Sequence, residues 1–350
     1  MEKKDILSFT FDELQNELEN LGEKKFRASQ VYKWLHADTV TNFDMMTNLS
    51  KQLREKLDEN YYIAFAEPEK KLTSSLDSTV KYLFKLRDGE YIESVLMKYK
   101  YGYSICVSSQ VGCKMGCKFC ASTLNGVVRN LTSSEILAQV YTVQRDNNIK
   151  ISHVVLMGMG EPLDNFDNVM RFISLITDEK GQDMSMRHIS LSTCGLVPKI
   201  YELMNKNLQL TLSVSLHAPN DEIRSSMMPV NKKYNISALL NACREYTDFT
   251  HRRISFEYAM VKGVNDSPAC AEELAKRLKG ILCHINLIPV NEVKETGCKR
   301  SSKSDINAFL QILSSCGYAV TVRRELGSDI NASCGQLRRN TVKNLIKEVT

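Results

Sequence analysis

The segment Ser104-Ile-Cys-Val-Ser-Ser-Gln-Val-Gly-Cys113-Lys-Met-Gly-Cys117-Lys-Phe-Cys120 runs from a β-forming stretch straight into three cysteines. Ser104–Ser108 reads as a strand, and the cysteines follow in a C-x3-C-x2-C spacing. Three thiolates in one loop hold three irons of a [4Fe–4S] cube, and no fourth cysteine follows within the loop. The fourth iron is then open to an exogenous ligand. Phe119 stands just before the last cysteine, where it can cover the cluster or pack near that ligand. Zinc is the alternative occupant, but it prefers four protein ligands and pairs of C-x2-C, so it would have to borrow a distant Cys or His.

Outward from this loop, β-rich runs alternate with helical stretches. Strands are expected at Ser104–Ser108, His153–Met157, His188–Ser192, Leu210–Leu216, Ile254–Met260 and Cys283–Ile288, with helices near 133–146, 166–178, 197–205, 236–248 and 268–279. Thr132 and Glu135 make a capping box for the first helix. Ser267-Pro268 supplies an N-cap and first helical residue for the last. Six strand–helix units imply a parallel α/β sheet, either curved as a full or partial barrel or open and doubly wound, with the site at the C-terminal strand ends. Before this region, Leu14, Leu18, Leu21, Val31, Trp34 and Leu35 recur at helical spacing, and Tyr82–Leu86 and Tyr91–Met97 flank an Asp88-Gly89 turn as a hairpin. After it come a strand at Tyr318–Arg323, a loop with Gly327 and Cys334, and a basic helix at Arg338–Glu348.

The bulk numbers bound the rest. No apolar run approaches the ~20 residues that span a bilayer. The opening Met1-Glu2-Lys3-Lys4-Asp5 lacks the apolar stretch of a signal peptide, so a cytoplasmic location is expected. The net charge of +5, from 46 basic and 41 acidic residues, agrees with a polyanionic partner but does not establish one. Eleven cysteines without an export signal favour metal or redox chemistry over a disulfide framework. Cys194, Cys243, Cys270, Cys283, Cys298 and Cys316 are scattered and read as small buried hydrophobes.

Candidate cofactor-binding positions cluster at strand ends. In Gly158-Met-Gly-Glu-Pro162, Gly160 allows a close backbone approach and Glu161 can accept from a ligand ammonium; the bland alternative is a glycine-rich turn. Ser192 ends the third strand, and Ser215, Leu216 and His217 end the fourth, where they can meet hydroxyl and carboxylate groups. A lone His is more often structural. Asn291, after the last strand, is a candidate reader of an adenine edge.

Taken together, Cys106-Val-Ser-Ser-Gln-Val-Gly-Cys113, Gly158-Met-Gly-Glu-Pro162, Ser215-Leu-His-Ala-Pro-Asn220, Met228-Pro-Val-Asn231, Phe256-Glu-Tyr258 and Asp329-Ile-Asn-Ala-Ser-Cys-Gly-Gln-Leu337 resemble the RlmN family of the radical S-adenosylmethionine (SAM) superfamily. These are dual-specificity 23S rRNA and tRNA adenine C2-methyltransferases. The resemblance runs from about Phe26 to Leu337. It implies a partial (β/α)6 barrel over residues 99–320, an N-terminal helical accessory and RNA-binding region with a small hairpin over 1–98, and a C-terminal extension over 321–350.

The resemblance also implies the chemistry. Cys113, Cys117 and Cys120 hold the [4Fe–4S] cluster, and SAM chelates its open iron. One SAM methylates Cys334, and a second yields a deoxyadenosyl radical that takes hydrogen from the S-methyl group. The methylene radical adds to adenine C2. Cys106 then attacks the sulfur of Cys334, and the disulfide releases product. Glu93 matches the family's general base; read alone, it is a solvent-facing strand carboxylate, and Cys106 read alone is a buried strand cysteine. The electron donor is expected to be a flavodoxin or ferredoxin, and the chain a monomer. Arg129-Asn130, Arg323-Arg324, Arg338-Arg339 and Lys343 are candidate phosphate contacts; a solvated helix face also accounts for Lys343. Lys24, Lys25, Arg27 and Lys33 give the N-terminal helices a basic edge, with Phe26, Tyr32 and Trp34 as either stacking platforms or core.

The related Cfr family methylates adenine C8 at the same ribosomal site and confers antibiotic resistance. Its members tend to lack residues matching Pro162, Glu257 and Pro289; this chain has all three, which favours C2. Two departures from the RlmN pattern, Asn331-Ala-Ser-Cys334 and Ser122 after Cys120-Ala121, are conservative. A reading from another class is a non-catalytic iron–sulfur RNA-binding protein, which would have no use for Glu161, Ser192, His217, Cys106 and Cys334 together.

Overall fold

A computed structural model describes residues 3–290, 297–330 and 332. Ten strands form one sheet: β1 Glu67–Thr73, β2 Val80–Lys85, β3 Tyr91–Tyr99, β4 Gly102–Cys106, β5 Ile151–Leu156, β6 Ile189–Thr193, β7 Thr211–Ser215, β8 Ile254–Met260, β9 Cys283–Pro289 and β10 Ala319–Val322. Their order across the sheet is their order in the chain. From β4 to β10 every pairing is parallel, and β1 to β4 pair antiparallel. A doubly wound sheet reverses its strand order at a switch point. This one never reverses, which decides between the architectures that periodicity left open. Among the described residues β1 and β10 do not pair, so the curved sheet is a partial barrel.

The expected helices appear between the strands: α4 Ser133–Asn147, α5 Phe166–Ile176, α6 Val197–Asn205, α8 Ile236–Thr250 and α9 Pro268–Arg277, joined by a short α7, Asp221–Met227, and by α10, Lys303–Ser315. Thr132 and Glu135 complete both halves of their capping box. Ser267 caps α9 through the Cys270 N–H. The Asp88-Gly89 hairpin is present as β2–β3. Sequence patterning missed α10 and β1. β1 reads Glu-Pro-Glu-Lys-Lys-Leu-Thr and is almost wholly exposed, an edge strand that its charges and proline protect from further pairing. The sheet continues from β3 into β4 through Val95–Cys106 to Tyr99–Gly102, so the expected boundary at residues 98/99 falls inside a hairpin of the same sheet.

Three N-terminal helices, α1 Phe11–Asn20, α2 Phe26–His36 and α3 Lys51–Asn60, share the main core. Leu14, Leu18, Val31 and Leu35 belong to the same buried cluster as Ile105, Val154 and Phe256. Polar contacts fix the docking: the Tyr32 hydroxyl donates to Asp178 at 3.0 Å, and Arg171 grips Glu13 through both terminal nitrogens. Tyr32 is therefore core, whereas Phe26 is 53% exposed with the Arg27 guanidinium 4.9 Å from its ring centre. Trp34 is half-buried and donates to Asn48.

His36 sits fully buried in this joint. Its Nδ1 lies 3.0 Å from the Tyr141 hydroxyl, and its Nε2 has no hydrogen-bond partner among the described residues. A second proton there would be buried and unpaired, so burial pushes the imidazole down to about 3. An unfolded histidine titrates near about 6.5. Between those values the unfolded chain binds the extra proton, so stability is full above pH ~6.5 and falls as pH drops toward about 3. Replacing His36 by Gln is expected to flatten this acid limb of the melting-temperature profile, measured from pH 7 to 4; an unchanged slope would place the acid sensitivity elsewhere.

Candidate active site

The C-terminal ends of the parallel strands open into a cavity of about 370 Å³, within the size range of small-molecule sites. Cys113, Cys117 and Cys120 all line it, and so do Cys106, Gly160, Glu161, Ser192, Ser215 and His217. The loop bearing the triplet is seated from below: the Lys118 N–H donates to the Met227 carbonyl at 2.9 Å, and Cys117 packs with Met227 and Met228 at the end of α7.

The three thiols fit an iron–sulfur cluster. They face one cavity and feel one another electrostatically, and burial pushes each thiol upward, Cys113 to about 12. No three His, Cys, Asp or Glu side chains among the described residues converge tightly enough for a single metal ion. What fits the cluster is the donor set: three thiols on one loop, all lining one cavity, the ligation that leaves one iron of a cube open. Cys194, which looked like a scattered hydrophobe, lines the same cavity. It belongs to the Glu161 anchor described next.

Glu161 is 3% exposed. Its carboxylate accepts from the Cys194 N–H at 2.7 Å and the Leu163 N–H at 3.1 Å. Its own N–H donates to Gln110 Oε1 at 2.8 Å. These contacts fix the carboxylate, and its remaining lone pairs stay available for an ammonium. Burial raises its proton affinity while those donors pull the other way. Gly160 has φ +102°, and a Cβ there would lie 2.7 Å from the Gln110 nitrogen. The close approach that the glycine serves is therefore to the strand exit beside it.

His217 sits at φ 57°. Its Nδ1 accepts from the Ala259 N–H at 2.9 Å, which leaves Nε2 to carry the ring proton, and burial pushes the ring down to about 3. It meets Phe119 edge to face at 4.8 Å. Ser192 donates to the Leu156 carbonyl at 2.8 Å. Leu216 departs from expectation. Its side chain lies in the core, at 1% exposure, rather than in the cavity, because strand alternation turns it away from Ser215 and His217. Its carbonyl instead accepts from Arg224 Nε. Asn291 and Cys334 lie outside the described residues, as do Arg338, Arg339 and Lys343.

Glu93 is 0% exposed, so the solvent-facing alternative does not hold. It forms an ion pair at 2.9 Å with Lys81, which is 1% exposed. Cys106 lies close enough to feel both charges. Lys81 escaped sequence reasoning because both faces of β2 are buried and its lysine looks like any strand lysine. Arg224 escaped too. It is wholly buried and donates to the carbonyls of Cys194, Leu216 and Ser215 and to Asn231, so a full positive charge stands behind the cavity wall.

The arginines divide. Arg323 and Arg324 line the cavity mouth. Arg129 is occupied by Asp88 at 2.6 Å and by Glu135 at 2.7 and 2.8 Å, so the expected phosphate contact is a structural ion-pair hub. Glu257 is also in the cavity wall, its carboxylate accepting from Ser255 and Asn286.

Known proteins resemble the chain over nearly its whole length. Residues 4–63 match the ribosomal RNA large subunit methyltransferase N-terminal domain, and residues 107–277 match the radical SAM superfamily. A probable dual-specificity RNA methyltransferase RlmN of Clostridium novyi (strain NT) is 58% identical over 341 residues, covering 97% of this chain and 99% of the relative. A second, from Clostridium botulinum (strain Eklund 17B / Type B), is 56% identical over 340 residues, 97% of this chain and 98% of its own. The crystal structure of a radical SAM methyltransferase from Sphaerobacter thermophilus superposes with a TM-score of 0.92 at 42% identity, over 95% of this chain and 98% of that one. The chain belongs to the RlmN family.

Proposed function

We propose that the protein is a radical SAM RNA methyltransferase that places a methyl group on C2 of an adenine in 23S rRNA and in tRNA. One observation carries the reading: the thiol triplet, Glu161, Cys106 and Ala332, two residues before Cys334, all border one cavity. No described helix is long and apolar enough to cross a membrane. The cavity mouth holds Arg323 and Arg324, cations suited to an RNA backbone. Retention of Pro162, Glu257 and Pro289 favours C2 over the C8 alternative.

Adenine C2 is electron-poor and has no useful nucleophilicity, so ordinary displacement on a methyl sulfonium is not feasible. Cys113, Cys117 and Cys120 would hold a [4Fe–4S] cluster, which together with SAM would supply an electron and hydrogen-atom abstraction. Glu161 orients the SAM ammonium, while Ser192, Ser215, His217 and Asn291 are assigned to its remaining polar groups. Cys334 carries the carbon to be transferred. Glu93 accepts the proton lost from C2. Cys106 attacks the sulfur of Cys334: a sulfur–sulfur bond forms, the sulfur–carbon bond breaks with its electron pair left on the carbon, a proton completes the methyl group, and the single odd electron that entered with the carbon radical would return to the bound cluster. Burial holds the Cys106 thiol up at about 11, and the nearby Arg323 and Lys81 cations offset only part of that, so the group rests as a thiol and must lose its proton to attack. A flavodoxin- or ferredoxin-type protein is the proposed electron donor, and the chain acts as a monomer in the cytoplasm.

Lys81 has two consequences for Glu93: it keeps a carboxylate tolerable in a dry site and fixes its direction. Replacing Lys81 by Met leaves that charge buried without its ammonium, which costs about 3–5 kcal/mol. Chemical denaturation is expected to show a loss of that order together with loss of turnover; a near-neutral change would mean that Glu93 is hydrated.

The function itself is tested by anaerobic reconstitution with iron and sulfide, then SAM, a reductant and unmodified 23S rRNA, with digested nucleosides read by mass spectrometry. Formation of 2-methyladenosine is expected, and Cys334→Ala is expected to abolish its release. Appearance of 8-methyladenosine would overturn the regiochemistry. Neither product, with the cluster intact and SAM cleaved, would overturn the RNA substrate.

A further inference from the structure

The tail loop reaches the cavity from the far end of the chain, and its approach is held by a second element. The turn joining β1 to β2, Ser74-Ser75-Leu76-Asp77-Ser78-Thr79, lies against Gly327 and Asp329. One carboxylate crosses in each direction. Asp329 accepts from the Ser74 hydroxyl at 2.7 Å, the Ser75 N–H at 2.9 Å and the Ser75 hydroxyl at 3.0 Å. Asp77, from the turn, accepts from the Gly327 N–H at 2.8 Å while also holding its own turn through the Thr79 N–H at 3.0 Å. Both carboxyls are held below their usual range; Asp329 chiefly by Ser74 and Ser75, and Asp77 by Thr79 and Gly327 against the opposing effect of burial.

The seat is shaped as well as bonded. Gly327 has φ +61°, and a Cβ added there would meet Ala332 Cβ at 2.7 Å and Thr79 Cγ2 at 3.0 Å. The loop closes on itself where the Ala332 N–H donates to the Gly327 carbonyl at 3.0 Å. Leu326 and Ala332 then pack on Val95, Met97 and Cys106. From Ala332, two residues of extended chain span at most about 7 Å, so fixing Ala332 bounds where Cys334 can be.

We propose that the β1–β2 turn is a docking seat for the tail, and that Asp329, Asp77, Ser74 and Ser75 are positioning residues that hold Cys334 at Cys106. This rests on the cysteine-pair reading given above and adds what makes the pair meet. A free loop of this kind would sample many directions; anchoring it a few residues before the reacting sulfur raises the effective concentration of one thiol at the other. The seat also gives the edge hairpin a task that parallel-barrel architecture does not require.

The test uses the full-length, cluster-loaded enzyme, equilibrated anaerobically in mixtures of reduced and oxidised glutathione. Each turnover of that equilibrium converts the Cys106 and Cys334 thiols plus one oxidised glutathione into one protein disulfide plus two reduced glutathiones. The disulfide is quantified by mass spectrometry of its linked peptides. Asp329→Ala, which removes three hydrogen bonds, is expected to lower the disulfide formation constant by about tenfold or more, with iron content and melting temperature close to those of the unaltered enzyme. Ser74→Ala is expected to act less strongly, and its effect is expected to vanish in the Asp329→Ala background, since both act through one contact. Methyl release is expected to fall in parallel through kcat, with KM for RNA unchanged.

A disulfide constant and kcat within twofold of the unaltered enzyme in both Asp329→Ala and Asp77→Ala would overturn the seat while leaving the cysteine pair standing. Additive effects of Ser74→Ala and Asp329→Ala would overturn the direct contact. If the unaltered enzyme formed no Cys106–Cys334 disulfide, and Cys106→Ala still released methylated product, the cysteine-pair reading itself would fall, and the seat with it.

Discussion

The pairing of β3 with β4 is the constraint on which the rest of this structure depends. It joins an antiparallel hairpin to a parallel half-barrel without breaking the sheet, and it sets Val95 opposite Cys106. Because the register is fixed by backbone hydrogen bonds, every side chain on β3 has a determined height above the cavity. Glu93, two residues before Val95 on the same face, lies within electrostatic reach of Cys106 and of Cys120. A slip of one residue would turn Glu93, Val95 and Met97 to the opposite face. The cysteine proposed to resolve the product and the carboxylate proposed to accept the proton are thus set by one hairpin register.

Charge in this site is managed by burial with specific partners. Glu93 has Lys81, and the Glu161 carboxylate has two backbone N–H donors, Leu163 and Cys194, while Gln110 Oε1 holds the Glu161 backbone N–H. Arg224 is satisfied by carbonyls and one side-chain amide. In a low-dielectric cavity each of these charges acts strongly on anything bound nearby, and each would be costly if its partner were removed. The neutral His217 fits the same pattern: its Nδ1 is committed to a backbone N–H, so the ring presents a donor at Nε2 rather than a titrating charge.

Much of this was legible in the sequence, for reasons that differ by residue. The Cys113, Cys117 and Cys120 loop was readable because metal-site chemistry demands a spacing. Ser104–Ser108, Ile254–Met260 and α6 were readable because buried parallel strands and amphipathic helices have strong local patterns. Strand order was not, since no local signal says whether a strand adds to one edge or the other. Lys81 and Arg224 were invisible for a related reason: their significance comes from partners brought close by tertiary pairing. Gly160 was singled out for a close approach to a ligand, whereas the close neighbour seen is Gln110. Arg129 looked like a surface cation and is instead committed to Asp88 and Glu135. Leu216 was carried along with its motif, although strand alternation already turned it inward.

The central claim is that the transferred carbon travels on Cys334 rather than passing directly from SAM to RNA. The most direct measurement supplies SAM with a fully deuterated methyl group and weighs the RNA product's methyl group. Passage through a cysteine-bound methyl that gives up one deuterium and later gains a solvent proton predicts a product one deuterium short. A product that keeps the complete deuterated methyl group would mean direct displacement, and would contradict the account.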